Sequence, residues 1–279
     1  MIADAMPLVI APEHLAAQAN SSHLQVVFVG DGAVFAQGHI EGATCIRYSD
    51  LVTARPPAGG VLPPASDLAG VLGDAGITPA THVVAYDASG GGAASRLLWT
   101  LDCLGHRHWS LLDGGLGAWQ ADGRPLVEGA SSTTEPAPAY PAVTDDAVAR
   151  VGADYIQAHL DDPDVVIVDA RSPGEYRGEV MRARRNGHIP GAVNLEWTDN
   201  FDPDRNGRLR AASALAEEYA ELGVTPDHEV ITHCQTHHRS ALTYVVLRYL
   251  GFERVRGYDG SWSEWGNDPA RPVSTPTDG

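Results

Sequence analysis

The sequence predicts an α/β protein made of two tandem copies of one domain, each a parallel sheet flanked by helices on both faces. Two observations carry this. First, landmarks recur in order: GHIEGA at Gly38 returns as GHIPGA at Gly187, 149 residues on, and Trp119, which ends LLDGGLGAW, returns as Trp265, ending GYDGSWSEW, 146 residues on. So small a drift marks an internal repeat with a unit of roughly 130 residues. Second, short runs rich in Val and Ile alternate with helical stretches, the pattern of buried parallel strands joined by crossover helices.

In the first copy the expected order is a helix over Pro12–Asn20, a strand over Val26–Val29, a strand over Val83–Tyr86 and a helix over Ala94–Leu104. In the second copy it is a strand over Val165–Val168, a helix over Ser213–Leu222, a strand over Val230–Thr232 and a helix over Ser240–Leu250. Between the copies, Arg124 to Asp146 is rich in Pro, Ser, Thr and Ala and has no apolar period, so it reads as a linker. The expected division is 1–125, a linker over 126–146, and 147–279.

Composition narrows the chemistry. With 279 residues, 43% hydrophobic and 20% charged, the chain is long enough for two ordinary domains. The formal net charge is −17, which argues against nucleic acid or an anionic membrane surface as partners, since both require clustered cations. All 19 basic residues are Arg. Without Lys, Schiff-base catalysis, a P-loop phosphate site and a protein-kinase site are excluded. No apolar run is long enough to span a bilayer, and the N-terminus lacks the basic region and apolar stretch of a signal peptide. Three cysteines, Cys45, Cys103 and Cys234, cannot all pair and form no CxxC, so a cytoplasmic protein with free thiols is expected, as a monomer.

Function is expected where the copies diverge at the carboxyl end of a strand, the place where doubly wound domains bind ligands. After the strand VVAY the first copy has Asp87 followed by ASGGG, whereas the second has Cys234 followed by QTHHRS. Only the second carries a nucleophile. Cys234 lies at a strand end from which a short loop opens into a helix, so backbone N–H groups and the helix N-terminus can form an anion nest that stabilises a thiolate. Arg239, five residues on, adds a cation. Cys45 and Cys103, with apolar or helical neighbours, read as inert. His233, His237 and His238 could instead hold a metal with Cys234, but they crowd one short loop with no matching ligand pair elsewhere, so neither metal nor cofactor is expected.

The paired GHIxGA motifs, the DAR strand end at Asp169–Arg171, the Cys-x4-Arg loop and the GGLGAW and GSWSEW segments resemble the tandem-domain rhodaneses, the thiosulfate and mercaptopyruvate sulfurtransferases. The resemblance runs from about Leu8 to Pro272, and HCQTHHRS is most similar to bacterial thiosulfate:cyanide sulfurtransferases with a CQTHHR loop. It implies that Cys234 takes up a sulfane sulfur as a persulfide, cradled by backbone N–H groups from Gln235, Thr236, His237 and His238 to Ser240, in a catalytic second copy beside an inactive first one. It implies Arg171 as a substrate-binding arginine, whose fork suits a sulfonate or carboxylate; a structural salt bridge to Asp169 or Glu175 is the alternative. Asp169 and the GHIPGA turn read as structural, and His188 as a packed histidine. The loop lacks the lysine that one branch of the family uses for thiosulfate, so Arg239, or protonated His237 and His238, has to supply the positive field. The expected partners are a small sulfur donor, thiosulfate, and a small acceptor, cyanide or a thiol. The rivals are a 3-mercaptopyruvate sulfurtransferase, a persulfide carrier for a protein or thiol, and, through a Cys-x5-Arg loop one residue longer, a phosphatase.

Overall fold

The structure is a computed structural model that describes residues 6–18, 21, 23–130, 140–141 and 146–275. Most of the expected linker, residues 131–139 and 142–145, lies outside the described residues, as do residues 19–20 at the end of the first expected helix. The described residues hold eleven strands: β1 (Val9–Ile10), β2 (Leu24–Val29), β3 (Thr44–Ile46), β4 (Thr53–Arg55), β5 (Ala58–Val61), β6 (His82–Tyr86), β7 (Trp109–Leu112), β8 (Val165–Asp169), β9 (Val193–Asn194), β10 (Glu229–His233) and β11 (Val255–Gly257).

The chain forms two compact units, and each is assembled from separate stretches of sequence. The first comprises Met1–Leu51, Pro63–Asp145 and Phe201–Leu209, and the second Val52–Leu62, Asp146–Asn200 and Arg210–Gly279. In the first, β1, β7, β6, β2 and β3 lie side by side in that order, all parallel. In the second, the order is β11, β10, β8, β9, again parallel throughout. Parallel strands require crossovers, and helices supply them. Gly92–Cys103 follows β6 and Arg239–Tyr249 follows β10; the first is buried along its whole length and the second from Ser240 to Leu247. That burial explains why both sequences lack a clear polar face.

All four strands expected from Val/Ile runs are present, extended by one or two residues. The strands that sequence periodicity does not show are the two- to four-residue ones, too short to complete a pattern. The expected helix over Ser240–Leu250 starts one residue earlier, at Arg239, and Pro12–Asn20 is helical over Pro12–Ala17.

The antiparallel pair β4–β5 comes from the first half of the sequence but belongs to the second unit. It is held there by polar bonds to the segment that opens the helix Ser261–Trp265: Gly59 N–H donates to Ser263 Oγ at 3.2 Å and Leu62 N–H to Asp259 Oδ2 at 2.8 Å. Conversely, residues 201–209 belong to the first unit, where Leu209 N–H donates to Asp113 Oδ1 at 2.8 Å and Arg208 Nη2 to Asp122 Oδ1 at 2.7 Å.

The core of the second unit gathers Ile156, Ile167, Ile189, Ile231, Tyr258, Trp262 and Trp265. Trp265 is fully buried, and its Nε1–H donates to the Pro272 carbonyl at 2.6 Å. Trp265→Ala is expected to lower stability by about 3–5 kcal/mol, through lost apolar burial plus an incompletely collapsing cavity. Met181→Ala, at a side chain 65% exposed, should leave stability within about 0.5 kcal/mol; urea unfolding of both variants checks this.

Candidate active site

Strand β10 is buried at every residue and delivers Cys234 at its carboxyl end. Residues 235–238 then turn, and the helix Arg239–Tyr249 begins. The turn is tight enough to put His237 at φ +53°, a left-handed conformation that a non-glycine residue adopts only at a cost of about 1–3 kcal/mol. The result is a concave loop wrapped around one sulfur atom. Cys234 is 1% exposed, and the groups that favour its thiolate are the Arg239 guanidinium, the Ser240 hydroxyl and the backbone N–H groups of Ser240 and Thr236.

Burial alone would push this thiol up. The Arg239 charge, the Ser240 hydroxyl and the two backbone donors outweigh it and hold the thiol below its ordinary value. His237 Nδ1 lies 2.8 Å from Ser240 Oγ. His238 tilts toward the ring of Trp197, centroids 6.3 Å apart, and Gln235 Nε2 donates to the Arg182 carbonyl at 3.2 Å.

Arg239 is held by a residue that the motif reading passed over in this role, Glu175. Its carboxylate takes Nη1 at 2.6 Å and Nη2 at 3.0 Å. Glu175 is itself fixed by a capping box, in which its Oε2 accepts from Ser172 N–H and Ser172 Oγ accepts from Glu175 N–H. Burial opposes the charge on Glu175, but Arg239 and Ser172 bring its carboxyl down to about 2, and burial's pull on Arg239 is likewise overridden upward by Glu175. The available signal was S-x-x-E after the DAR strand end, which is a capping box by spacing.

Arg171 does not share this cluster. Its side chain is 1% exposed, with Nε 2.9 Å and 3.0 Å from the two oxygens of Asp169, Nη2 2.6 Å from Asp169 Oδ2, and Nη2 donating to the Gly187 carbonyl at 2.8 Å. Its guanidinium lies 4.4 Å from the centre of the Trp262 ring. The expectation that it binds a donor's sulfonate or carboxylate therefore meets a guanidinium already committed to Asp169, which was the alternative for this residue. His233 Nε2 is 3.6 Å from Asp169 Oδ2. Burial lowers His233, so it stays neutral; burial would raise Asp169, yet the groups facing it hold it low, and with His233 uncharged the effect is that of Arg171. His188 is packed, stacked on Tyr176 at 3.8 Å with Nδ1 3.0 Å from that residue's carbonyl oxygen.

Two further segments close around the loop. Ser261, at φ +51°, accepts the Cys234 N–H on its Oγ at 3.4 Å, while Trp262 N–H donates to the Cys234 carbonyl at 2.9 Å and Ser263 N–H to that of Gln235 at 3.0 Å. From β5, Gly60 presses against Thr236 so closely that a Cβ there would lie 2.1 Å from the Thr236 carbonyl oxygen. Sequence distance hid this contact. In the first unit the equivalent loop surrounds Asp87, whose Oδ1 accepts from Ser89 and Gly91 N–H at 2.8 Å each and whose Oδ2 accepts from Ala94 N–H at 2.9 Å. A side-chain carboxylate there fills the same kind of nest. Among the described residues, no group of three or more His, Cys, Asp or Glu side chains is arranged to hold a metal ion, and no helix is long and apolar enough to cross a membrane.

Fold and site together define a tandem parallel α/β protein with one activated thiol set in a nest of backbone amides. The Rhodanese-like domain family matches residues 11–122 and 152–268, and the chain belongs to it. It is 46% identical over 272 residues to a thiosulfate sulfurtransferase of Azotobacter vinelandii, covering 96% of this chain and 97% of that one. It is 45% identical to a thiosulfate sulfurtransferase of Pseudomonas aeruginosa over the same shares. Among solved structures, YnjE has the same fold, with a TM-score of 0.88 at 23% identity, covering 96% of this chain and 68% of that one.

Two outcomes follow from the geometry. Arg239→Gln removes the charge that faces Cys234, so iodoacetamide alkylation of Cys234, followed by peptide mass mapping, should slow at neutral pH and its pH profile should move upward. Gly60→Ala forces a methyl group against the Thr236 carbonyl and should slow or scatter that reaction as the loop shifts. Gly70→Ala, with nothing within 4 Å of its new Cβ, should leave it unchanged.

Proposed function

We propose that this chain is a sulfurtransferase that takes a sulfane sulfur from thiosulfate and passes it to a thiophilic acceptor such as cyanide, through a persulfide on Cys234. The observation that carries the reading is the nest around Cys234: two backbone N–H groups, one hydroxyl and one guanidinium converge on a single buried sulfur. Such donors stabilise a thiolate, and they stabilise equally the persulfide anion that replaces it. The choice of thiosulfate as donor draws on the relatives named thiosulfate sulfurtransferase at 46% and 45% identity.

The reaction runs in two displacements. Cys234 thiolate attacks the outer sulfur of thiosulfate; the new S–S bond forms as the old one breaks, and sulfite leaves with the electron pair. Cyanide then attacks the outer sulfur of the persulfide, thiocyanate departs, and the Cys234 thiolate is restored. No net oxidation or reduction occurs on the protein, and neither metal nor cofactor takes part. Thr236 and Ser240 hold the anion, Gln235, His237 and His238 shape the loop, and Arg239 supplies the positive field. Arg171 acts at one remove, by pinning Asp169 and the Gly187 carbonyl.

In this reading residues 147–279 form the catalytic copy, to which the β4–β5 hairpin of the first half is added, and the rest of 1–125 forms a copy without a nucleophile, joined through 126–146. The protein works as a monomer in the cytoplasm, where its three free cysteines would stay reduced.

Intact mass of the protein before and after thiosulfate, then after cyanide, tests this, with Cys234→Ser beside it. Gain of one sulfur atom with thiosulfate, its loss to cyanide, and no gain in the variant are expected. A gain with 3-mercaptopyruvate but not thiosulfate would move the assignment to a mercaptopyruvate transferase. Loading without turnover to small acceptors would make the protein a persulfide carrier.

A further inference from the structure

Residues 177–185, RGEVMRARR, hold four of the 19 arginines in the sequence and a single acid, Glu179, in a chain of net charge −17. This stretch follows the short helix Pro173–Tyr176 and carries two of the large apolar side chains that the described residues leave to solvent, Val180 at 42% and Met181 at 65% exposed. It also borders the reactive loop. Gln235, the residue after Cys234, donates its side-chain amide to the Arg182 carbonyl at 3.2 Å, and Arg182 Nε lies 3.9 Å from Glu175, the partner of Arg239. Of its arginines, Arg177 pairs with Glu179 at 2.7 Å, and Arg185 is tied down by carbonyls, those of Trp265 at 2.8 Å and Arg271 at 2.6 Å among them. Arg182 is 63% exposed with that long contact to Glu175, and Arg184 is exposed.

We propose that the ridge Val180–Arg184 is a docking surface for an acidic protein that carries the acceptor thiol, with Met181 as its apolar anchor. The proposal rests on the persulfide reading of Cys234 and adds the partner. Charge complementarity selects the occupant. A small acceptor such as cyanide needs no exposed methionine, and a basic partner would be repelled by the ridge. An exposed methionine in the same stretch as two exposed arginines, Arg182 and Arg184, matches the enriched composition of interfaces. The need for cations there follows from the transfer. The acceptor thiolate attacks the outer sulfur of the Cys234 persulfide, a bond forms between them, the bond to Cys234 Sγ breaks, and Sγ leaves as thiolate with the electron pair. Two anions must meet, and cations within contact range of the acidic partner lower that barrier.

The test uses full-length protein loaded with sulfur from thiosulfate, loading verified by intact mass, and two synthetic peptides with one central cysteine flanked either by Glu and Leu or by Arg and Leu. Wild type should pass sulfur to the acidic peptide at least about tenfold faster than to the basic one at about 0.15 M salt, where a Debye length of about 8 Å screens the chain's net charge but not contacts with the ridge, the gap closing at about 1 M salt. Met181→Glu combined with Arg184→Glu should abolish the preference, the acidic peptide slowing at least about tenfold while the basic peptide is not slowed. Equal rates to both peptides in the loaded wild type, or a preference that survives the double variant, would overturn the docking surface and leave the persulfide reading standing. A chain that takes up no sulfur would overturn both.

Discussion

A thiolate at a site 1% exposed survives only if fixed donors replace the water it has lost, and at Cys234 that constraint bears on the loop and on the segments bonded to it. Half of the donors are backbone: amides at Thr236 and Ser240 cannot swing away, and a hydroxyl and a guanidinium complete the shell. Backbone donors exist only if the chain takes one path. Hence His237 and Ser261 are both left-handed, Gly60 is packed without room for a methyl group, and the first residues of the helix Ser261–Trp265 are bonded to the backbone of Cys234 and Gln235. Each is a local cost that surrounding packing has to impose.

Behind the loop a second buried charge system keeps the strand ends in register. Asp169 ends β8 opposite His233 on β10, and Arg171 closes on it with three short contacts. Removing one member would leave a buried charge alone, which is far costlier than losing the pair. The Arg239–Glu175 pair is different in kind. It is partly open at Arg239, 21% exposed, and its consequence is the direction in which the guanidinium faces. Because Glu175 stays anionic down to about pH 2, the lock holds throughout the range in which a cysteine titrates.

The two units show one backbone solution put to different ends. In the first, the carboxylate of Asp87 satisfies the nest from within. In the second, a sulfur occupies it and can exchange its cargo under the proposed reaction. The same comparison explains Ser261: its counterpart in the first unit is Gly115, also left-handed at φ +54°, where a Cβ would meet the Asp87 carbonyl oxygen at 2.6 Å. In the second unit a serine accepts that strain and binds Cys234 N–H with its hydroxyl.

Much of this was legible in the linear sequence, because it depends on neighbours in the chain. The repeat, the four Val/Ile strands, the crossover helices and the position of Cys234 at a strand end before a helix are all set by short-range pattern and by the burial that parallel sheets demand. Family membership followed from motifs whose order is itself sequence. What the sequence could not decide is which of its arginines face the sulfur. Arg171 and Arg239 are equally plausible as anion binders on paper, and only the fold commits one to Asp169 and turns the other toward Cys234. Nor could it place β4–β5, more than 170 residues upstream of Cys234, against the loop. Both are outcomes of packing between segments remote in sequence. Local propensity carries no information about such contacts, and tertiary structure alone brings their charges and backbones within bonding distance.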